Sequence, residues 1–302
     1  MKEYSFKILI FIIVILAAFS VYGKKIIGLS GTVITLPFHP KRIVSLAPSL
    51  TECLFEIGAG DRVVGVTQFC NYPEQVKDLP KVGTYISPSI EKILALKPDL
   101  CIGTKDGNPK SIIFKLKKLG IKVFVVDPRD MESLFSTMIV LGEIVGCEKQ
   151  AKIVVERLKK EVLLVQKRAS LYINPPTVFF QIGVDPMVTV GKNTLINNLI
   201  KIAGGVNIFE NFKGYPRISV EQVMALNPDI IIITSMVHSE HNLNNLKKFW
   251  EKYKDINAVK YSNVYVVNSD FFNRPSPRAI EGLKLLSMII EKSFKKIMPK
   301  KN

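Results

Sequence analysis

Two aromatic–acid pairs recur in this chain at one interval: Tyr85 precedes Glu91 by six residues, and Tyr215 precedes Glu221 by six. Tyrosine offers a π face and a hydroxyl, and a carboxylate on a first helical turn offers a fixed negative charge. The chemistry these types support is recognition rather than bond cleavage. Phe69, in T-Q-F-C-N-Y-P, and Phe271-Phe272, in S-D-F-F-N-R-P-S-P-R, add aromatic faces, with Asp270, Arg274 and Arg278 as polar neighbours. Aromatic faces beside an arginine suit a large flat molecule or one with anionic edges. Catalytic templates are poorly met. V-G-K-N-T around Gly191 lacks the upstream glycine and the K-[ST] pair of a phosphate loop. Ser276 has no histidine near it in sequence to act as base, and His238 and His241 sit in a polar segment that reads as a surface loop rather than a metal site. The reading is a binding protein and not an enzyme, with no cofactor of its own.

The segments that must position these residues are written twice. S-I-E-K-I-L-A-L-K-P-D-L-C-I (89–102) and S-V-E-Q-V-M-A-L-N-P-D-I-I-I (219–232) align at a constant offset of 130 residues. In each, a serine two residues before the glutamate caps a helix start, and apolar residues follow at helical spacing: Ile90, Ile93, Leu94 and Leu96, then Val220, Val223, Met224 and Leu226. Pro98 and Pro228 stop the helices, because the residue before a proline avoids the α region. The β-rich runs after Pro-Asp read as buried strands. Glu91 and Glu221 thus take matching surface positions on matching first turns.

Beyond this repeat, β-rich runs at 43–47, 63–67, 100–103 and 123–126 alternate with helical patterns at 51–57, 90–96 and 111–119. Further runs at 178–182, 188–190, 230–234 and 264–267 repeat the scheme, which predicts two parallel α/β lobes. Between them, Ala151, Val155, Leu158, Val162, Val165 and Ala169 recur at steps of three and four, predicting one amphipathic helix about 36 Å long. The boundaries expected are a first lobe at 41–147, a linking helix at 148–172 and a second lobe at 173–297. A single stiff connector predicts little hinging, with Tyr85 and Tyr215 on equivalent loops at an interlobe cleft.

At the N-terminus, Lys2 and Lys7 flank a short leader, 8–19 is apolar, and Val21-Tyr22-Gly23 offers a cleavage region. This predicts a signal peptide over 1–23, cleaved near Gly23, and a periplasmic protein; the apolar run falls short of the roughly 20 residues of a membrane span, with a retained anchor as the alternative. No cysteine closely follows the run to carry a lipid. The net charge of +16 becomes +15 when residues 1–23 are removed. The lysines are spread along helical stretches without an arginine–aromatic block, so the charge reads mainly as a solvated surface and secondarily as attraction to anionic ligands or lipid, and no nucleic-acid partner is expected. Cys53, Cys70, Cys101 and Cys147 match no zinc template; their connectivity is not deducible from spacing, and Cys53 with Cys70 is one candidate disulfide.

The ordered runs R-I-V-S-L-A-P-S-L-T-E (42–52), N-Y-P-E, L-P-K-V-G-T-Y, I-E-K-I-L-A-L-K-P-D-L and S-D-F-F-N-R-P-S-P-R resemble the helical-backbone substrate-binding proteins of ABC importers, above all the cobalamin-carrying branch. The resemblance spans nearly the whole chain after residue 41. It implies two Rossmann-like lobes joined by one rigid helix, a ligand held in the cleft, and docking of one surface glutamate per lobe, Glu91 and Glu221, into arginine pockets of a permease dimer. It implies a metal-containing ligand: cobalamin or a related corrinoid, with a ferric siderophore or haem as alternatives. Phe69, Tyr85, Tyr215, Asp270, Phe271 and Arg274 are then the expected ligand contacts. Cobalamin carriers of the family tend to line the cleft with tryptophan, whereas Tyr85 and Tyr215 stand at those positions here and Trp250 is the single tryptophan. A two-lobed metallocluster or chelatase-type enzyme is the reading from another class; it would need Cys, His or carboxylate groups converging on the cleft.

Overall fold

The computed structural model describes residues 24–36, 38–235 and 240–297, so the expected signal segment and His238 lie outside the described residues. Where the sequence reads as a polar entry, β1 (Lys25–Ile27) and β2 (Val33–Thr35) form an antiparallel hairpin. The buried Ile34 seats it, with Ile26 partly buried against the same core.

The first sheet is wholly parallel. It runs in the order β4 (Val63–Val66), β3 (Ile43–Ser45), β5 (Leu100–Thr104), β6 (Lys122–Val126). Helices α1 (Pro48–Glu56), α2 (Ile90–Ala95) and α3 (Lys110–Lys118) connect or follow these strands, as the alternation predicts. The second sheet has β11 (Val264–Asn268), β10 (Ile230–Ser235) and β7 (Thr177–Val184) in parallel, with β9 (Val206–Asn207) also on β7. β8 (Met187–Thr189) departs from the expected scheme: it pairs antiparallel to β7, because the intervening turn is too short for a crossover. Helix α4 (Met131–Val145), which the sequence reading passed over, starts on an Asp130 carboxylate that accepts the Ser133 N–H at 2.7 Å. Nine of its residues are buried, and an apolar run of that kind carries little polar counter-signal.

The duplication is geometric as well as textual. Ser89 Oγ accepts the Lys92 N–H at 3.3 Å to start α2, and Ser219 Oγ accepts the Gln222 N–H at 3.4 Å to start α7 (Val220–Leu226). The residues before the two prolines, Lys97 and Asn227, both turn left-handed, with φ of 46° and 43°. The following aspartates each clamp a neighbouring strand. Asp99 Oδ2 accepts the Lys41 and Arg42 N–H groups ahead of β3, and Asp229 Oδ2 accepts the Thr177 N–H and hydroxyl at the start of β7.

Helix α5 (Glu148–Ala169) is the expected connector, 22 residues long. Its stripe of Ala151, Val155, Leu158, Val162 and Val165 is buried in one apolar core shared with α1 and α4 on one side and with α6 (Leu195–Ile202) and α10 (Ala279–Ile297) on the other. Each buried valine or leucine of the stripe contributes about 1.5–3 kcal/mol, so the helix is anchored to both sheets rather than strung between them.

The candidate disulfide does not form: all four cysteines are free. Cys53 faces the core from α1, whereas Cys70 turns toward the Thr51 and Thr67 hydroxyls, each 3.2 Å from its sulfur. Burial pushes the Cys53 thiol up, with Glu52 and Glu56 adding to the shift, and pushes the Cys101 thiol up to about 12. Cys147 alone of the four is partly exposed. In the native protein a thiol reagent is therefore expected to label Cys147 within minutes and the other three only on unfolding; rapid native labelling of Cys53 or Cys101 would contradict the packing.

Candidate functional site

A cavity of about 330 Å³, partly open to solvent, lies at the carboxyl ends of the parallel strands of both sheets. That is where ligands sit in open α/β sheets, since side chains and backbone N–H groups converge there. The first sheet contributes Thr104 at the end of β5 and Asp127 and Arg129 after β6; the second contributes Ser269 and Asp270 after β11.

Five of the six expected ligand contacts line this one cavity: Phe69, Tyr85, Tyr215, Asp270 and Arg274. Phe69 and Tyr85 meet edge to face, with ring centroids 6.1 Å apart. Phe69, Tyr85 and Tyr215 remain 44%, 38% and 50% exposed, so their faces are accessible to a bound molecule. The sixth, Phe271, does not line the cavity. The short helical turn at Ser269–Phe271 rotates it away, beneath the Arg278 guanidinium at 4.9 Å, and Phe272 takes the place at the wall.

The tyrosine loops are held by groups the sequence reading missed. Buried Asn108 donates to the Leu46 and Tyr85 carbonyls at 2.9 and 2.8 Å and accepts the Thr104 N–H at 2.7 Å, tying the Tyr85 loop to β3 and β5. On the other lobe, Gly191 N–H donates to the Gly214 carbonyl at 2.7 Å and Thr189 N–H to the Pro216 carbonyl at 3.0 Å, bracketing Tyr215. A Cβ on Gly191 would lie 2.1 Å from the Phe212 carbonyl oxygen, which explains the glycine in V-G-K-N-T without a phosphate. Tyr215 sits near Asp106, Asp127 and Arg129 of the first lobe: burial chiefly raises its hydroxyl pKa, with Arg129 opposing and the two aspartates adding.

The arginines are already engaged. Glu52, almost fully buried on α1, accepts from Arg274 Nη1 at 2.9 Å, from Arg278 Nη1 at 3.5 Å and from the Ser276 hydroxyl at 2.6 Å. Arg274 also pairs with Asp270 at 2.8 Å, and Asn71 bridges both, donating to Asp270 at 2.9 Å and accepting from Arg274 at 2.7 Å. Arg278 stacks over Tyr72 at 4.4 Å. This cluster joins α1 and the loop after β4 to the loop after β11. Arg274 thus meets the cavity while paired with Glu52 and Asp270, and Arg278 is paired with Glu52.

Trp250 lies away from the cavity, fully buried among Phe179, Phe249 and Tyr253, its Nε1 donating to Gln181 Oε1 at 2.8 Å. Glu91 and Glu221 are exposed on the first turns of α2 and α7. Among the described residues no group of three or more His, Cys, Asp or Glu side chains is placed to hold a metal, and no helix is long and apolar enough to cross a membrane.

The model of a family described as periplasmic binding protein matches residues 43–271. An uncharacterized ABC transporter substrate-binding lipoprotein of Bacillus subtilis is 34% identical over 276 residues, 88% of this chain and 85% of that one. The crystal structure of the periplasmic vitamin B12 binding protein of Vibrio cholerae superposes with a TM-score of 0.77 at 28% identity, covering 86% of this chain and 100% of that one. A periplasmic heme binding protein from Pseudomonas aeruginosa gives a TM-score of 0.76 at 27% identity, covering 84% and 94%.

Proposed function

Since this chain belongs to the periplasmic binding protein family, we propose that it captures a large flat metal chelate, cobalamin or a related corrinoid, outside the cytoplasm and delivers it to the permease dimer of an ABC importer. The observation that carries this reading is the pair of repeat-equivalent tyrosines, Tyr85 and Tyr215, lining one cavity from opposite lobes, with Phe69 beside the first. Aromatic faces brought to one cavity from both lobes suit a large flat ligand. Phe69, Tyr85, Tyr215, Asp270 and Arg274 are the ligand contacts in this reading, and Glu91 and Glu221 meet the permease. Residues 41–147 and 173–297 act as the two lobes on the connector at 148–172, and residues 1–23 direct export to the periplasm, with cleavage near Gly23.

Haem or a ferric siderophore is the second reading, favoured by the similarity to a heme binding protein and by two phenol groups in the cleft. The visible spectrum of protein incubated with cyanocobalamin, haemin or a ferric siderophore and then desalted separates the three. Retained corrinoid bands are expected, and retention of haemin or siderophore alone would overturn the corrinoid assignment.

Tyr85→Ala and Tyr215→Ala should each weaken binding about tenfold, the loss of roughly 1.4 kcal/mol, while leaving the fold intact because both rings are half exposed. Wild-type affinity of both variants by titration calorimetry would remove the tyrosines from the site.

A further inference from the structure

The charged groups that line the cleft are closed onto one another. Among the described residues, its lining carries two arginines, Arg129 and Arg274, against three aspartates, Asp106, Asp127 and Asp270, in a chain whose net charge is +16. Arg129 is gripped from two sides: Nη2 donates to Asp106 Oδ1 at 2.6 Å, Nη1 pairs with the other Asp106 oxygen, and Nε meets Asp127 Oδ1 at 2.7 Å. Arg274 is shared between Glu52 at 2.9 Å and Asp270 at 2.8 Å, with a further donation to the Phe69 carbonyl at 3.2 Å. A guanidinium has five N–H donors and no acceptor, so two carboxylates occupy most of what either arginine can offer. An anionic group entering here must break a charge-assisted pair or settle beside a second carboxylate, and each alternative carries a desolvation or repulsion cost. Carboxylate oxygens at the cavity wall retain lone pairs for neutral N–H or O–H donors.

We propose that the cleft is a charge-closed site selecting ligands whose periphery is amide- or hydroxyl-edged rather than carboxylate-edged, with Asp106, Asp127 and Asp270 as the specificity determinants. The proposal rests on the reading of the ligand as a large flat metal chelate. It adds what that reading leaves open: the charge state the cleft accepts, in a protein whose basic surface would by itself attract anions.

The test uses two matched pairs of probes with the full-length protein: cyanocobalamin against its derivative with one peripheral amide hydrolysed to a carboxylate, and haemin against its dimethyl ester. In any pair that binds, the uncharged-edged member should bind at least about tenfold tighter, a ratio typical of unfavourable charge juxtaposition, and the ratio should shrink as salt is raised. Asp106→Asn releases half of the grip on Arg129 at a largely exposed position, and should reduce the ratio to about threefold or less. Asp270→Asn makes the same test on Arg274. Equal or tighter binding of the carboxylate member by the unmodified protein overturns the proposal while leaving a corrinoid reading in place. Binding of the porphyrin pair alone, with the ester preferred, supports the proposal and overturns the corrinoid reading. An unchanged ratio in both aspartate variants overturns their role as determinants.

Discussion

Glu52→Gln is expected to lower the free energy of unfolding by about 3 kcal/mol, the lower end of what removing one partner from a buried ion cluster costs. The substitution keeps the side-chain volume, so the effect is electrostatic. In the folded protein the Glu52 side chain is 2% exposed and faces Arg274 and Arg278, which are 14% and 19% exposed. Neutralising it leaves one cation balanced by Asp270 alone and the other with only the Tyr72 and Phe271 rings, while Ser276 exchanges a charged acceptor for a neutral one. Arg274 retains Asp270, which is why the lower end of the range applies. Guanidinium denaturation followed by circular dichroism reads the loss as a lower midpoint. A midpoint within the scatter of ordinary surface substitutions, about 0.5 kcal/mol, would show that the cluster is solvated and contributes nothing to joining the two halves.

Glu91→Arg combined with Glu221→Arg is expected to abolish uptake while ligand binding in solution is retained. Both glutamates are exposed and lie on the first turns of α2 and α7, away from the cavity lining. The Ser219 side chain holds the Glu221 carboxyl below the usual carboxylate range, so it is anionic at any physiological pH. Helix-start acids contribute only about 0.3–1 kcal/mol through the macrodipole, and any acid placed in the first turn would do that work. Two equivalent charges 130 residues apart on matching helices are better matched to a two-fold partner, because equivalent subunits demand equivalent contacts. Reversing both charges sets like against like across that interface, at a cost of several kcal/mol. Transport into vesicles carrying the cognate transporter is the measurement; uptake at the wild-type rate by the double variant would return both glutamates to the role of helix-start residues.

Much of the site was legible in the chain because its placement is local. Ser89 and Ser219 announce helix starts by a hydroxyl three residues before the N–H it accepts, and Pro98 and Pro228 announce stops by sterics, so both copies of the strand–helix unit could be placed without any long-range contact. Tyr85 and Tyr215 followed from that placement, since six residues before each first-turn glutamate lies the loop that leads into the helix. The signal failed where contacts are long-range. Glu52 and Arg274 are 222 residues apart, and a glutamate on an apolar helix face carries no local mark of the arginine that will neutralise it. Asn108 was silent for the same reason: its partners, the Leu46 and Tyr85 carbonyls, lie 62 and 23 residues away. Phe271 and Phe272 are adjacent and alike in sequence, and only the turn that follows β11 decides which of them meets the cavity.

The sequence by itself determined the periodicities, caps and stops, and with them two parallel α/β lobes, a long connector and two equivalent tyrosine loops, because these depend on residues within a few positions of one another. The tertiary structure alone decided the electrostatics of the cleft. Whether an arginine there is free to meet a ligand depends on which carboxylates fold against it, and for Arg274 that partner comes from the other end of the chain.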